Sequence, residues 1–181
     1  MDKSNLGFVQ VFWGNGKGKT TSALGTALRA AGNGYSVHLV QFMKNGASSL
    51  EQQIPGEIMA LQKFQNFSYR RFGVGSWYVR GKNDEEHKKN VQETFSYLKE
   101  CMGKYDIIIA DEILYAVQLG LLDEDSVISM IKSRPGNQEM ILTGSHVQLP
   151  GIFEVADLIT EVKNHKHPYE IGILARKGLE F

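Results

Sequence analysis

The segment Trp13 to Gly25, WGNGKGKTTSALG, directly follows the apolar run LGFVQVF and most narrows what this chain can fold into. A glycine-rich loop between a short apolar strand and a helix gathers backbone N–H groups and the positive end of the helix around one point, which suits a phosphate chain. The phosphate-loop spacing is glycine, four residues, then Gly-Lys-Ser/Thr. Gly18, Lys19 and Thr20 fit it, but counting back puts Trp13 where the first glycine belongs. Gly14 can serve the turn while Trp13 ends the strand, which predicts a slightly tighter loop. Lys17 and Lys19 bring two cations, each worth roughly 4 kcal/mol of attraction at close range in an intermediate dielectric. Thr20 stands where a hydroxyl ligand of Mg²⁺ belongs, and Thr21 can donate to a phosphate from the first helical turn. The candidate triphosphate cradle is therefore Gly14, Asn15, Gly16, Lys17, Gly18, Lys19, Thr20 and Thr21, with Lys19 as its principal cation.

Beyond the loop, Ala23, Leu24, Ala27, Leu28 and Ala31 recur at helical spacing, and Gly32 offers a stop. Strands are predicted in YSVHLVQFM and FSYRRF, separated by an irregular stretch from Lys44 to Glu57 that is expected to be mobile. Asn83 or Asp84 provides an N-cap for a helix carrying Val91, Phe95, Leu98 and Met102 on one face. YDIIIADE reads as a strand buried on both faces, and it ends in two carboxylates, Asp111 and Glu112. Those carboxylates can reach a metal held by Thr20, directly or through water, or they can cap the next helix. A helix over DEDSVISMIKS and strands in EMILTGS, ADLITEV and GILARKGLEF complete the pattern. Strands alternating with helices imply an α/β fold whose mostly parallel sheet is covered on both faces by right-handed crossovers.

With 181 residues, 42% of them hydrophobic, one domain over 1–181 is expected, able to bury roughly 70% of its unfolded surface. Twenty basic residues balance twenty acidic ones, which argues against a nucleic-acid partner and makes any basic site local. The single Cys101 rules out an internal disulfide and a cysteine-rich zinc site. The early apolar run is too short for a membrane span and has no basic leader, so a cytoplasmic protein is expected.

The segments GNGKGKTTSALGTALRAAGNG, VQFMKNG, ADEILYAVQLGLL, SRP with MILTGS, and ADLITEVKNHKHPYEIGILARKGLEF together resemble the P-loop type of ATP-dependent corrinoid adenosyltransferase along almost the whole chain. The resemblance implies a three-layer P-loop NTPase (RecA-like) fold. It also implies a reaction in which Co(I) of a reduced corrinoid attacks the ribose 5′ carbon of ATP and triphosphate leaves, in the synthesis or salvage of adenosylcobalamin. Carried over by position, Gly14 to Thr21 hold the triphosphate and Lys19, Thr20 and Glu112 are catalytic. Thr20 and Glu112 bind Mg²⁺, with Asp111 as a supporting carboxylate. The implied partners are ATP, a cobalamin or cobinamide-type corrinoid, an electron donor such as a reduced flavoprotein, and a second copy of the chain in a homodimer.

Three departures from the family pattern stand out. GVGSWYVRG replaces the commoner Gly-Phe-Thr-Trp, so Trp77 and Tyr78 are the candidates for shielding the corrin, against the alternative that they pack the sheet edge. Ser145 replaces an arginine often seen after Thr-Gly. The long N-terminal helical extension of longer members is not matched, so shielding is expected from Lys44 to Glu57.

His165 and His167 share a face if extended, but without a cysteine or third histidine nearby a polar contact or dimer surface is expected rather than a metal site. Arg176 and Lys177 can assist phosphate or corrin-amide binding or form a solvated edge. Tyr69, Arg70, Arg71 and Phe72 interleave rings with charge as single-strand nucleic-acid sites do, a weak signal in a neutral chain. The competing functions are a small P-loop nucleoside kinase of the thymidine-kinase type, a non-catalytic ATP-gated corrinoid carrier, and a RecA-like strand-exchange module, which would want a basic stripe.

Overall fold

A computed structural model describes residues 3–44 and 54–179 of the chain. Its strands are β1 (Val9–Trp13), β2 (Val37–Gln41), β3 (Phe67–Arg71), β4 (Ile107–Asp111), β5 (Glu139–Thr143) and β6 (Leu158–Glu161). They form one sheet in the order β3-β2-β4-β5-β1-β6, and every neighbouring pair is parallel. The helices are α1 (Lys19–Gly32), α2 (Gly56–Leu61), α3 (Asp84–Glu100), α4 (Ile113–Gln118), α5 (Glu124–Ser133) and α6 (Pro150–Val155). β5 lies between β1, which feeds the glycine-rich loop, and β4, which ends in Asp111.

Alternation along each strand builds two cores. Phe12, Leu39, Ile109 and Ile141 pack beneath α1 and α2, where Ala23, Ala27 and Ala31 let the helix approach closely. Val11, Trp13, Val40, Ile108 and Leu142 pack beneath α3 to α6 with Val91, Leu98, Ile113 and Ile131. Burial on both faces makes the central strands continuous apolar runs. Carboxylates tie down the amino end of the sheet. Glu139 accepts from the Gly7 and Phe8 amides at 2.9 and 2.8 Å and from Gln10 Nε2 at 2.6 Å, and Asp157 accepts from the Val9 amide at 2.7 Å. The opposite, carboxyl end is left to the phosphate loop and its neighbours, where ligands bind in open α/β sheets.

Two expectations change, and a third lies largely outside the described residues. GILARKGLEF is not a strand within its described residues: Pro168 has no N–H to donate, a 3₁₀ turn spans Pro168–Ile171, and Gly172 at φ 81° turns the chain away from β6. Asn83 is the N-cap residue of α3, but its side chain makes no cap bond; Asn83 Oδ1 accepts from the Val79 amide and Nδ2 donates to the Trp77 carbonyl, at 2.9 and 2.8 Å. Of the stretch Lys44 to Glu57, residues 45–53 lie outside the described residues, and Gly56 and Glu57 open α2.

On the α3 side, His38 is 2% exposed, with Nδ1 2.7 Å from Ser68 Oγ, Nε2 3.1 Å from Tyr97 OH, and the Tyr105 ring stacked at 4.5 Å. Arg70 lies over the Phe72 and Tyr97 rings, so half of the basic-aromatic tetrad is committed to this cluster. Burial, and secondarily Arg70, push the His38 pKa down from 6.5 to about 4. Between those values the unfolded chain binds a proton that the folded chain refuses, so stability falls as pH drops through this window. We expect wild-type unfolding free energy to fall by about 2 kcal/mol between pH 7 and pH 5 from this group, and His38→Phe to remove that part of the slope. Urea titrations at the two pH values check it; an unchanged slope in the variant would refute it.

Candidate functional site

The phosphate loop is wedged between β1 and the chain leaving β6. Trp13 is the last residue of β1; its ring packs on Phe153 at 5.3 Å and its carbonyl accepts from the Val162 amide at 2.8 Å. Gly14 follows at φ 110°, and a β-carbon there would lie 2.3 Å from the Val162 carbonyl oxygen. Its amide donates to the Ser145 carbonyl at 2.9 Å, and the Gly16 amide donates to the Val162 carbonyl at 2.7 Å. Gly18, at φ 119°, is the N-cap of α1. The glycine missing at position 13 is thus displaced by one residue, to where the turn needs it.

The C-terminal run crosses over the same loop. The Asn164 amide donates to Asn15 Oδ1 at 3.0 Å, and Lys17 Nζ donates to the Leu179 carbonyl at 3.2 Å. His167 spends its Nδ1 on the Tyr169 amide at 3.1 Å. Gly14→Ala meets both the backbone clash and the positive φ, so we expect a loss of at least about 2 kcal/mol, or roughly 5 °C in Tm, with weakened ATP binding. Calorimetry and a nucleotide titration check this; an unperturbed variant would show that the loop does not need this turn.

Lys19 Nζ donates to the Gly14 and Gly16 carbonyls at 2.6 and 3.0 Å. Burial lowers its pKa, joined by Lys44, while Glu112 and Asp111 act in the opposite direction. Thr20 Oγ1 donates to Asp111 Oδ1 at 2.7 Å. Asp111 is fully buried, and it also accepts from Thr143 Oγ1 at 2.6 Å and Gln41 Nε2 at 2.9 Å. The Thr143 hydroxyl in turn accepts from the Glu112 amide at 3.0 Å. The Glu112 side chain instead meets Lys44 Nζ at 3.1 Å, and although Glu112 is the N-cap residue of α4, its side chain makes no cap bond. The structure therefore puts Asp111 against the Thr20 hydroxyl, with Glu112 beside it but turned toward Lys44.

Three non-glycine residues with left-handed backbones follow the carboxyl ends of β2, β4 and β5: Met43 (φ 53°), Glu112 (φ 65°) and Ser145 (φ 52°). Such conformations cost of order 1 to 3 kcal/mol each and persist where surrounding structure holds them. Ser145 is held by its own hydroxyl, which donates to the Val147 carbonyl at 2.5 Å and accepts from the Val147 amide at 3.1 Å. This turn brings His146 into the site, its ring 5.3 Å from Tyr115. Burial, then the nearby Lys19 charge, lower the His146 pKa, and Glu112 opposes them.

A cavity of about 310 Å³ opens at Lys19, Glu112 and His146 and runs between Phe42, Tyr115, Trp77, Tyr78 and His87. Trp77 is 63% exposed, whereas Tyr78 packs against the core and meets the His87 ring edge-on at 5.4 Å. The two aromatics singled out in the sequence therefore line the same cavity as the cradle lysine. Arg176 and Lys177 are not among its lining residues. Gln41, Lys44, Thr143, His87 and His146 join the site without having been assigned roles; only Gln41 and Thr143 carried a signal, as polar residues ending apolar strands.

A family model described as "ATP:corrinoid adenosyltransferase BtuR/CobO/CobP" matches residues 5–181. The chain is 35% identical over 183 residues to a protein named corrinoid adenosyltransferase from Pseudomonas aeruginosa, spanning 99% of this chain and 86% of that one. It is 32% identical over 178 residues to corrinoid adenosyltransferase CobA of Salmonella typhimurium and 31% identical over 178 residues to the Escherichia coli K12 corrinoid adenosyltransferase. Each of those alignments spans 97% of this chain and 86% of the relative.

Proposed function

Because this chain belongs to the ATP:corrinoid adenosyltransferase family, we propose that it joins the 5′-deoxyadenosyl group of ATP to Co(I) of a reduced corrinoid and releases triphosphate. The observation that carries this reading is the single cavity linking Lys19 of the phosphate cradle to Trp77 and Tyr78. In this reaction the cobalt electron pair forms the Co–C5′ bond while the C5′–O5′ pair departs on triphosphate. Groups that hold the leaving charge accelerate the step, because that charge develops in the transition state. Lys19 and the α1 amino end supply such groups. Co(I) carries no proton, so no side chain has to act as a general base. Trp77 and Tyr78 exclude water and a lower axial ligand, and a four-coordinate cobalt(II) is easier to reduce.

The donor set also suits Mg²⁺. It is all oxygen, namely the Thr20 hydroxyl with the Asp111 and Glu112 carboxylates, and Mg²⁺ characteristically takes one or two carboxylates plus phosphates and waters. Gln41 Oε1, on the amide whose Nε2 meets Asp111, is buried without a donor among the described residues, an acceptor in keeping with an all-oxygen site. Thr20, Asp111 and Glu112 would hold Mg²⁺ there, and the ion would supply positive charge to the departing triphosphate.

Reaching Co(I) requires reduction, so an electron donor such as a reduced flavoprotein belongs to the proposal. So does a homodimer, for which Ile159 of β6 and Tyr169 and Leu174 beyond it offer exposed apolar surface. No helix among the described residues is long and apolar enough to cross a membrane; we place the reaction in the cytoplasm.

The test mixes protein, MgATP and chemically reduced cobalamin without oxygen and follows the cobalt spectrum. Appearance of the adenosylcobalamin spectrum is expected. ADP formed with a nucleoside acceptor would assign a kinase instead, and binding of both substrates without turnover a carrier.

A further inference from the structure

One residue lining the aromatic end of the cavity carries a polar atom that no described residue satisfies. His87, in the first turn of α3, is 5% exposed, and its Nε2 is buried with no hydrogen-bond partner among the described residues. Its backbone amide donates to the Asn83 carbonyl at 3.2 Å, and its ring stands edge-on to Tyr78 while lining the cavity. Buried polar atoms are almost always satisfied, because an orphan forfeits its hydration without return. A side chain kept in this state beside an opening points to a ligand that completes it.

We propose that His87 is a corrinoid-binding residue whose Nε2 hydrogen-bonds a peripheral carboxamide of the corrinoid as one edge of the macrocycle enters the cavity. This rests on the adenosyltransferase reading above. Three considerations select the partner. His87 lies at the end marked by Tyr78, while Lys19, Glu112 and His146 mark the nucleotide end. A corrin with its substituents is far larger than 310 Å³, so what reaches His87 is an edge and its side arm rather than the cobalt centre. A neutral imidazole nitrogen is a donor or an acceptor according to tautomer, and a primary carboxamide answers both.

The probe is cob(II)inamide, which has no nucleotide base of its own, bound in the presence of MgATP and measured by equilibrium dialysis and electron paramagnetic resonance. His87→Phe is expected to raise the cobinamide Kd by about ten-fold, leave the ATP Kd within two-fold, and keep or raise Tm, because it removes a buried orphan. His87→Gln, which restores a hydrogen-bonding group, is expected to recover most of the affinity. Bound cob(II)inamide should show no nitrogen splitting from an axial protein ligand. The inference is overturned by a wild-type-like Kd in His87→Phe, by an equal loss of ATP binding, by His87→Gln performing no better than phenylalanine, or by an axial nitrogen signal that His87→Phe removes. Wild-type protein that binds no cobinamide at all would overturn the adenosyltransferase reading itself, a result distinguishable from all of these.

Discussion

Lys19→Ala is expected to lower the rate of adenosyl transfer by about three orders of magnitude while the protein stays folded. The Lys19 ammonium is held by the Gly14 and Gly16 carbonyls, at the mouth of the cavity and at the start of α1. A unit charge at that range from a phosphate oxygen is worth roughly 4 kcal/mol at an intermediate dielectric, and each 1.36 kcal/mol is a factor of ten in rate. The attraction is largest once the C5′–O5′ bond breaks and the charge localises on triphosphate, so the loss should fall mainly on kcat. Gly14 and Gly16 are buried, so their carbonyls depend on water entering the space that the side chain vacates beside the cavity, and Tm should fall by several degrees with the fold intact. Lys19→Arg keeps the charge, but its planar fork does not match a point charge seated between two carbonyls, and an intermediate rate is expected. Single-turnover kinetics with calorimetry on each variant provides the check; an alanine variant within ten-fold of wild type would remove Lys19 from the centre of the mechanism.

Asp111→Asn is expected to reduce turnover by about 10²- to 10³-fold and to raise the Mg²⁺ concentration needed for half-maximal rate. Asp111 accepts from Thr20, Thr143 and Gln41 with no exposure to solvent, so its charge is focused on the point where Thr20 would meet a metal. Asparagine has the same shape, and the Gln41 amide can turn over to present its Oε1, unpaired among the described residues, to the new NH₂ group. The fold should therefore lose only about 1 kcal/mol. Glu112→Gln breaks the Lys44 ion pair and is expected to have the smaller effect on the Mg²⁺ curve. The opposite ranking, with Asp111→Asn leaving that curve unmoved, would return the principal metal role to Glu112, as position in the sequence first suggested.

The elements that carry most of the fold were legible because burial on both faces writes itself into composition. VQVF, HLVQ, DIIIAD and EMILT cannot be anything but interior strands once helices alternate with them. The short α4 and α6 were not separately visible, since six residues give too little periodicity to distinguish a helix from a turn. Strand order was invisible for a different reason: nothing local records that β5 is inserted between β1 and β4, although that insertion brings Thr143 onto Asp111.

Within the site, the tight glycine turn and the start of α1 were legible from Gly14, Gly18, Lys19 and Thr20 because turn geometry is local. Which carboxylate meets the Thr20 hydroxyl was not, because the turn after β4 has a left-handed backbone at Glu112, and such a backbone at glutamate has no sequence signature. The same holds for Met43 and Ser145, and hence for the placement of His146. His87 looked like one polar residue among many at the start of a charged helix; its burial follows from the Asn83-fastened loop that folds Tyr78 over it.

The most direct test of the central claim is the phosphorus product. With ATP, reduced cobalamin and the wild-type enzyme under anaerobic conditions, ³¹P NMR should show intact triphosphate appearing in one-to-one proportion with adenosylcobalamin. ADP and orthophosphate as the primary products, or pyrophosphate released alongside orthophosphate from the start, would mean that the cradle cleaves the phosphate chain rather than holding it as the leaving group.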